Sequence, residues 1–142
     1  MFLDSQLQFS NAQALTATAD STNVVDLGVD QDIGIGKAMA VVITVGVAAD
    51  FTTTDETYQF QVETDDNAAM TSSTIIGDQT VAAANLTVGD KVVIPIGFSN
   101  ERYLQVVYTL GGTTPSVTVD AYLQPLTEID GYTNYADGFD IT

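Results

Sequence analysis

The sequence contains no cysteine and no histidine. Without cysteine the chain forms no disulfide, binds no metal through thiolates and has no cysteine nucleophile. Without histidine it has no conventional Ser–His–Asp or Cys–His arrangement and no imidazole ligand for a metal. Tryptophan, the largest aromatic platform for a sugar ring, is absent too. These absences remove much of enzyme chemistry, and we expect a chain that is not an enzyme and has no catalytic residue or metal site.

Basic residues are scarce. Only Lys37, Lys91 and Arg102 oppose 19 acidic residues, giving a formal net charge of −16. The acidic count is ordinary, since charged residues of both signs make up about a quarter of a typical chain, so the imbalance comes from missing bases. It fits either solubility in a salty medium or a partner surface that carries the complementary positive charge. Both interpretations exclude nucleic acid as a partner, because almost no cations are available to neutralise phosphates.

Long hydrophobic runs are missing as well. The longest apolar stretch, residues 38–47, is about half the length of a membrane-spanning helix and includes Thr44 and Gly46. The first residues, 1–6, have neither a basic region nor an apolar run of the length that a signal peptide needs. We therefore expect a chain that is made and acts in water, with no membrane partner.

What is present is material for one β domain. The 142 residues suit a single domain, and their 45% hydrophobic content can form a core. Apolar residues alternate with polar ones, as in Tyr58, Phe60 and Val62, which is typical of a strand with one face in water. Eight such segments lie between clusters of turn residues, at 6–10, 23–27, 38–47, 58–63, 74–76, 91–96, 103–110 and 117–123.

The spacing of these segments, without crossover helices, predicts an all-β fold with two antiparallel sheets packed as a jelly-roll-like sandwich. The 38–47 strand is apolar on both faces and is expected to be central and covered on both sides. Pro95 cannot donate a hydrogen bond, so the 91–96 strand is expected at an edge or bulge. The one candidate helix is 12–19, which is rich in threonine.

The ends of the chain differ from this body. We expect a core of about residues 6–124 and a C-terminal arm over 125–142, with a smaller arm at the N-terminus. The arm has few residues to repay the cost of ordering its backbone, so it either frays or docks on a neighbouring molecule. Aromatic anchors are typical of interface centres. The residues predicted to bind a partner are Met1, Phe2, Leu3, Tyr132, Tyr135, Phe139 and Ile141.

Two acidic segments could in principle bind a cation or act as an acid–base pair. Asp65 and Asp66 are adjacent at a strand end, where such residues commonly cap turns. Because adjacent strand residues point to opposite faces, the two carboxylates are not expected to converge on one ligand. Residues 26–32 contain three aspartates but lack the ligand order of an EF-hand, which favours a solvated loop. Gly34 and Gly36 match only part of a dinucleotide fingerprint.

Seven stretches spread over nearly the whole chain are similar to sequence in one known family. They are LDSQLQFS (3–10), AQALTATA (12–19), NVVDLG (23–28), DIGIG (32–36), QVETDDN (61–67), RYLQVVY (102–108) and YADG (135–138). The family that they resemble is the cement (decoration) proteins of tailed-bacteriophage capsids.

The resemblance implies a jelly-roll-like protein on the outer surface of the virion, made in the host cytoplasm and without enzymatic activity or cofactor. Its partners would be the major capsid protein, whose neighbouring subunits it clamps together, and a second copy of itself in a homodimer, with a trimer as the alternative. The competing interpretation is another structural or adhesive β-module, from a tail, a pilus or a surface layer, or a glycan-binding module.

Overall fold

Two antiparallel sheets, packed face to face, form the protein. The computed structural model describes residues 4–129. Its nine strands are β1 (Gln8–Leu15), β2 (Ala19–Asp20), β3 (Val25–Asp26), β4 (Met39–Val47), β5 (Thr57–Asp65), β6 (Thr74–Val81), β7 (Lys91–Pro95), β8 (Tyr103–Gly111) and β9 (Val117–Pro125). Three short 3-10 helices span Ser5–Leu7, Ala83–Asn85 and Leu126–Glu128. The predicted all-β sandwich is confirmed.

The strand order is that of a jelly roll. One sheet has the order β1-β9-β4-β7, and the other has the order β2-β8-β5-β6. Strands β2 and β3 both pair with β8, Ala19 opposite Tyr108 and Val25 opposite Leu104, so they are two pieces of one interrupted strand. Counted in this way, the domain has two four-stranded sheets, the eight-stranded arrangement that the sequence predicts.

Alternation along the strands produces the core. In β4, Val41, Ile43 and Val45 point between the sheets and are fully or almost fully buried. In the facing sheet, Tyr58 and Phe60 of β5 have no exposed surface. Burial of large apolar side chains of this kind contributes about 1.5–3 kcal/mol each. Together these side chains form one continuous apolar core between the two sheets.

The predicted burial of both faces of β4 is confirmed. Its other face presents Ala40 and Val42, which form a second small apolar cluster with Val93 of β7. Ile129, which follows the last 3-10 helix, packs against this cluster. Residues 125–129 were predicted to belong to the C-terminal arm; of these, Pro125 is the last residue of β9 and Ile129 packs on the outer face of the sheet, while residues 126–128 are exposed.

Pro95 is at an edge, as predicted. Strand β7 is the last strand of its sheet and pairs only with β4, where Pro95 lies opposite Ala40. An edge strand can accommodate a residue that lacks an N–H group, because one of its sides has no ladder.

The predicted helix at 12–19 is wrong. Strand β1 continues to Leu15, and the chain then bends and forms β2 at Ala19. Pairing with β9 shifts register at two places in β1, and Ala12 adopts a left-handed conformation with φ 46°. The amide of Ala12 donates to Asp120 Oδ1 at 2.7 Å, which fixes this bulge. The first strand is thus longer and more irregular than the short strand that the sequence predicts.

The two ends of the sandwich carry different connections. One end, called here the terminal end, holds both described termini; it comprises residues 4–7, 27–38, 66–73, 96–102 and 126–129. The opposite end comprises residues 16–18, 48–56, 82–90 and 112–116. The strands run between these ends, so the connections of each end lie together in space.

Candidate functional site

The residues predicted to bind a partner lie outside the part of the chain that the structure describes. They are Met1, Phe2, Leu3, Tyr132, Tyr135, Phe139 and Ile141, and the described residues are 4–129. What the structure places is where both arms begin. Gln8 pairs with Tyr122 near the end of β9, and the amide of Leu126 donates to Ala38 at 2.9 Å. Both arms therefore start at the terminal end.

Exposed large apolar side chains are concentrated at the ends of the sandwich. Among residues 4–129, nine are exposed, and all lie in connections or within two residues of a strand end. Six lie at the terminal end or next to it: Val24, Val29, Ile35, Ile75, Phe98 and Leu126. Three lie at the opposite end or next to it: Val47, Phe51 and Val88. Single exposed apolar residues are normal, but their segregation to two ends separates possible contact areas from the polar faces between them.

The connections of the terminal end are held in place by backbone contacts. Ile33 and Ser99 form an isolated antiparallel bridge that joins two of them. Gly34 has a φ of +85°, and a side chain there would meet the carbonyl oxygen of Gly97 at 3.0 Å. Glycine at this position therefore permits both the turn and the close approach. Ile35 and Phe98, which are 66% and 55% exposed, lie in the two connections that this bridge joins.

An ion pair also lies at the terminal end. Arg102 donates from Nε and Nη2 to the two carboxylate oxygens of Asp26, at 2.7 and 2.9 Å. The guanidinium also lies over the Tyr103 ring, 4.9 Å from its centroid. The Arg102 hydrogen bonds, together with the Gly28 amide, lower the pKa of Asp26 to about 2. Lys37 lies 3.4 Å from Glu128, so both of these bases face acids of their own chain.

At the opposite end, two acidic side chains accept hydrogen bonds from loop residues. Asp55 accepts hydrogen bonds from the amide and hydroxyl of Thr113, at 3.0 and 2.9 Å. Glu56 accepts with Oε1 from the Thr53 amide at 3.1 Å and from the Thr53 hydroxyl. Glu56 is only 4% exposed, and its Oε2 is buried without a hydrogen-bond partner in the described part of the chain.

A cavity opens beside Glu56. It has a volume of about 310 Å³ and is called here the Glu56 cavity. Tyr58, Val81 and Ala83 are buried and supply apolar surface, and Phe51 is a partly exposed aromatic residue beside them. The remaining lining residues are Glu56, Thr57, Thr80, Ala82 and Ala84. The lining is mainly apolar, and Glu56 is its one acidic residue.

The acidic segments considered from the sequence act as turn caps. Asp65 accepts from the amides of Asn67 and Ser72, at 3.1 and 2.7 Å, while Asp66 is exposed. Asp26 is occupied by Arg102 and by the Gly28 amide. Within residues 4–129, no group of three or more acids could hold a metal ion. In the same range, no helix is long and apolar enough to cross a membrane.

Sequence reasoning missed the features at the ends of the sandwich. Most of the exposed apolar residues lie in turn-rich connections, which carry no periodic signal, and Val47 and Ile75 lie at strand ends. Phe51 and Val88 are isolated apolar residues between polar neighbours, and this was the only sign available in the sequence. The cavity beside Glu56 had no sequence signal, because it is formed by residues from three separate segments.

The comparison with known families supplies an identity at the family level. A family model described as Bbp16 matches residues 9–123, from β1 to within β9. No curated protein matches the sequence. The matched residues include all nine strands in whole or in part, and they make up well over half of the chain. The protein therefore belongs to the Bbp16 family.

Proposed function

We propose that this protein is a capsid cement protein, which binds the outer surface of a tailed-phage capsid and clamps neighbouring major capsid subunits together. One observation carries the proposal: exposed apolar side chains lie at both ends of a small two-sheet sandwich. A clamp needs two separate contact areas joined by a body that does not deform. A jelly roll with Phe98 at one end and Val88 at the other provides both.

Charge and family support the same proposal. A chain with a net charge of −16 complements a basic protein surface and is repelled by the packaged nucleic acid. The name Bbp16 suggests a phage-related protein. Each contact of a cement protein can be weak, because the many copies on one shell act together. The predicted arms and self-association would add contacts to those made by the two ends.

The test is attachment to shells assembled from the major capsid protein alone. Purified protein should bind these shells to saturation in a sedimentation assay and should raise the temperature at which they break. Phe98→Ser at the terminal end and Val88→Ser at the opposite end should each weaken binding about tenfold or more, as expected when an anchor of an interface centre is lost.

The matched control is Gln79→Ser, which changes an exposed residue in the middle of β6. It should bind as the unchanged protein does. Absence of saturable attachment would reject the cement function and would favour a tail, pilus, surface-layer or glycan-binding module. Equal effects of all three substitutions would reject the assignment of the contact areas.

A further inference from the structure

The outer faces of the two sheets differ in chemistry. In the sheet that contains β5, this inner strand turns Gln59, Gln61 and Glu63 outward, and all three are polar and half-buried. In the other sheet, the inner strand β4 turns Ala40 and Val42 outward, and these are only 0% and 1% exposed. A residue on the open face of a sheet keeps contact with water, so Ala40 and Val42 are covered from outside.

The buried part of this outer face lies where the described chain ends. Gln124 of β9 is the neighbour of Ala40 and is buried. Val93 of β7 is the neighbour of Val42 and is buried too. Ile129, the last described residue, packs against the apolar cluster that these strands form. The chain therefore continues from a residue that is already seated on this face.

The residues that follow Ile129 have the length and chemistry to cover the face. At about 3.3 Å each, residues 130–142 extend over roughly 40 Å, whereas a four-stranded sheet is roughly 15 Å wide. Lys91 belongs to the same outer face as Val93 and is one of three bases in the chain. The segment has both apolar and acidic residues to match this face: Asp130, Tyr132, Tyr135, Asp137, Phe139, Asp140 and Ile141.

We infer that, in the free protein, residues 130–142 pack on the outer face of the β1-β9-β4-β7 sheet of their own chain, with aromatic side chains against Val42 and Val93. The same chain is favoured over a second copy because Ile129 tethers the segment at the face, which makes its local concentration high. The inference gives the C-terminal aromatic residues a contact within their own chain and leaves the ends of the sandwich as the surface for partners.

The inference is tested by nuclear magnetic resonance on the full ¹³C-labelled chain without any shell. Nuclear Overhauser effects should connect ring protons of Tyr132, Tyr135 or Phe139 to the methyl groups of Val42 and Val93. An isotope-filtered experiment on mixed labelled and unlabelled chains should show none of these contacts between copies. If the contacts are missing, or if they join different copies, the inference is overturned.

Chymotrypsin, which cleaves after tyrosine and phenylalanine, gives a second test. Val93→Ser removes apolar surface from the outer face and should speed cleavage beyond residue 129 about tenfold. Val107→Ser is the matched control, because Val107 is half-buried beside Gln61 on the outer face of the other sheet. Only cuts beyond residue 129 count, since cuts after Tyr58 or Tyr108 report unfolding of the core. Equal rates of these cuts in both variants would contradict the inference.

The inference and the proposed function fail in different experiments. A chain that attaches to shells but lacks the contacts to Val42 and Val93 would overturn the inference alone. A chain that makes these contacts but does not attach to shells would overturn the cement function alone.

Discussion

Tyr108 joins the two sheets by a hydrogen bond inside the core. Its hydroxyl lies 2.7 Å from Ser10 Oγ, which belongs to the other sheet, and Ser10 in turn donates to Gln13 at 2.6 Å. The Tyr108 ring packs edge-to-face on Phe60, with centroids 5.8 Å apart. Burial raises the pKa of Tyr108, so its hydroxyl stays protonated in ordinary buffers and can donate to Ser10.

We predict that Tyr108→Phe lowers the free energy of unfolding by about 1 kcal/mol, because Ser10 loses a buried partner while the ring remains. Tyr122→Phe is the matched control. The Tyr122 hydroxyl also accepts a hydrogen bond, from Gln8 at 2.8 Å, but it is only part-buried, so its loss should cost less. Urea denaturation measures both. Equal losses would contradict a special role for the hydrogen bond between the sheets.

The ion pair between Asp26 and Arg102 predicts a pH dependence. The pKa of Asp26 falls from 3.8 to about 2, because Arg102 and the Gly28 amide stabilise the charged form. A lowered pKa in the folded state contributes stability that is complete above pH 3.8 and is lost as the pH falls towards 2. We expect Arg102→Gln to remove part of this dependence.

The measurement is the melting temperature of both proteins from pH 6 to pH 2. The difference between the unchanged protein and Arg102→Gln should be largest above pH 4 and should shrink towards pH 2. Other carboxylates titrate in both proteins and cancel in the difference. A difference that is constant over the whole range would show that Asp26 does not depend on Arg102 for its charge.

The loop after β8 depends on Gly112. Gly112 has a φ of +89°, and a side chain there would lie 2.4 Å from the Asp55 carbonyl oxygen. Gly89 has the same φ of +89°, but it has nothing within 4 Å of the equivalent position. The two positions separate backbone strain from steric conflict.

We predict that Gly89→Ala costs about 1 kcal/mol of unfolding free energy, since alanine is strained at positive φ. Gly112→Ala should cost at least about 2 kcal/mol, because the loop before β5 must also move. Chemical denaturation of the two variants gives the comparison. If Gly112→Ala lowers the unfolding free energy no more than Gly89→Ala does, the close packing of the loop after β8 against the loop before β5 is wrong.

Some strands could be predicted from the sequence and others could not. Strands with regular alternation, such as β5 and β8, could be predicted because their pattern is local. The segment 12–19 could not, since its alanines and threonines form β1 and β2 only by pairing with β9 and β8, about a hundred residues away. Such tertiary pairing overrides local propensity.

Glycine was also misread in β6. The sequence suggested that the strand ends before Gly77, but β6 continues to Val81. A side chain at Gly77 would come within 2.9 Å of Ile94 Cγ2, so this glycine marks the close approach of β6 to β7. The candidate contact areas were hidden for a related reason, because they arise where distant loops meet.

The net charge of the whole molecule should govern its attachment to capsid shells. The net charge of −16 predicts that binding to shells weakens as salt increases, since the screening length falls from about 10 Å at 0.1 M to about 3 Å at 1 M. Sedimentation of shells at several salt concentrations measures this effect. The same affinity at low and high salt would leave apolar contact as the only basis of binding and would remove the electrostatic part of the proposal.

Cryo-electron microscopy of shells saturated with the protein would show whether the sandwich bridges two capsid subunits through its two ends, as we propose. We expect density in which Phe98 at the terminal end and Val88 at the opposite end face different capsid subunits. Density attached through a sheet face, or through one end to a single subunit, would contradict it.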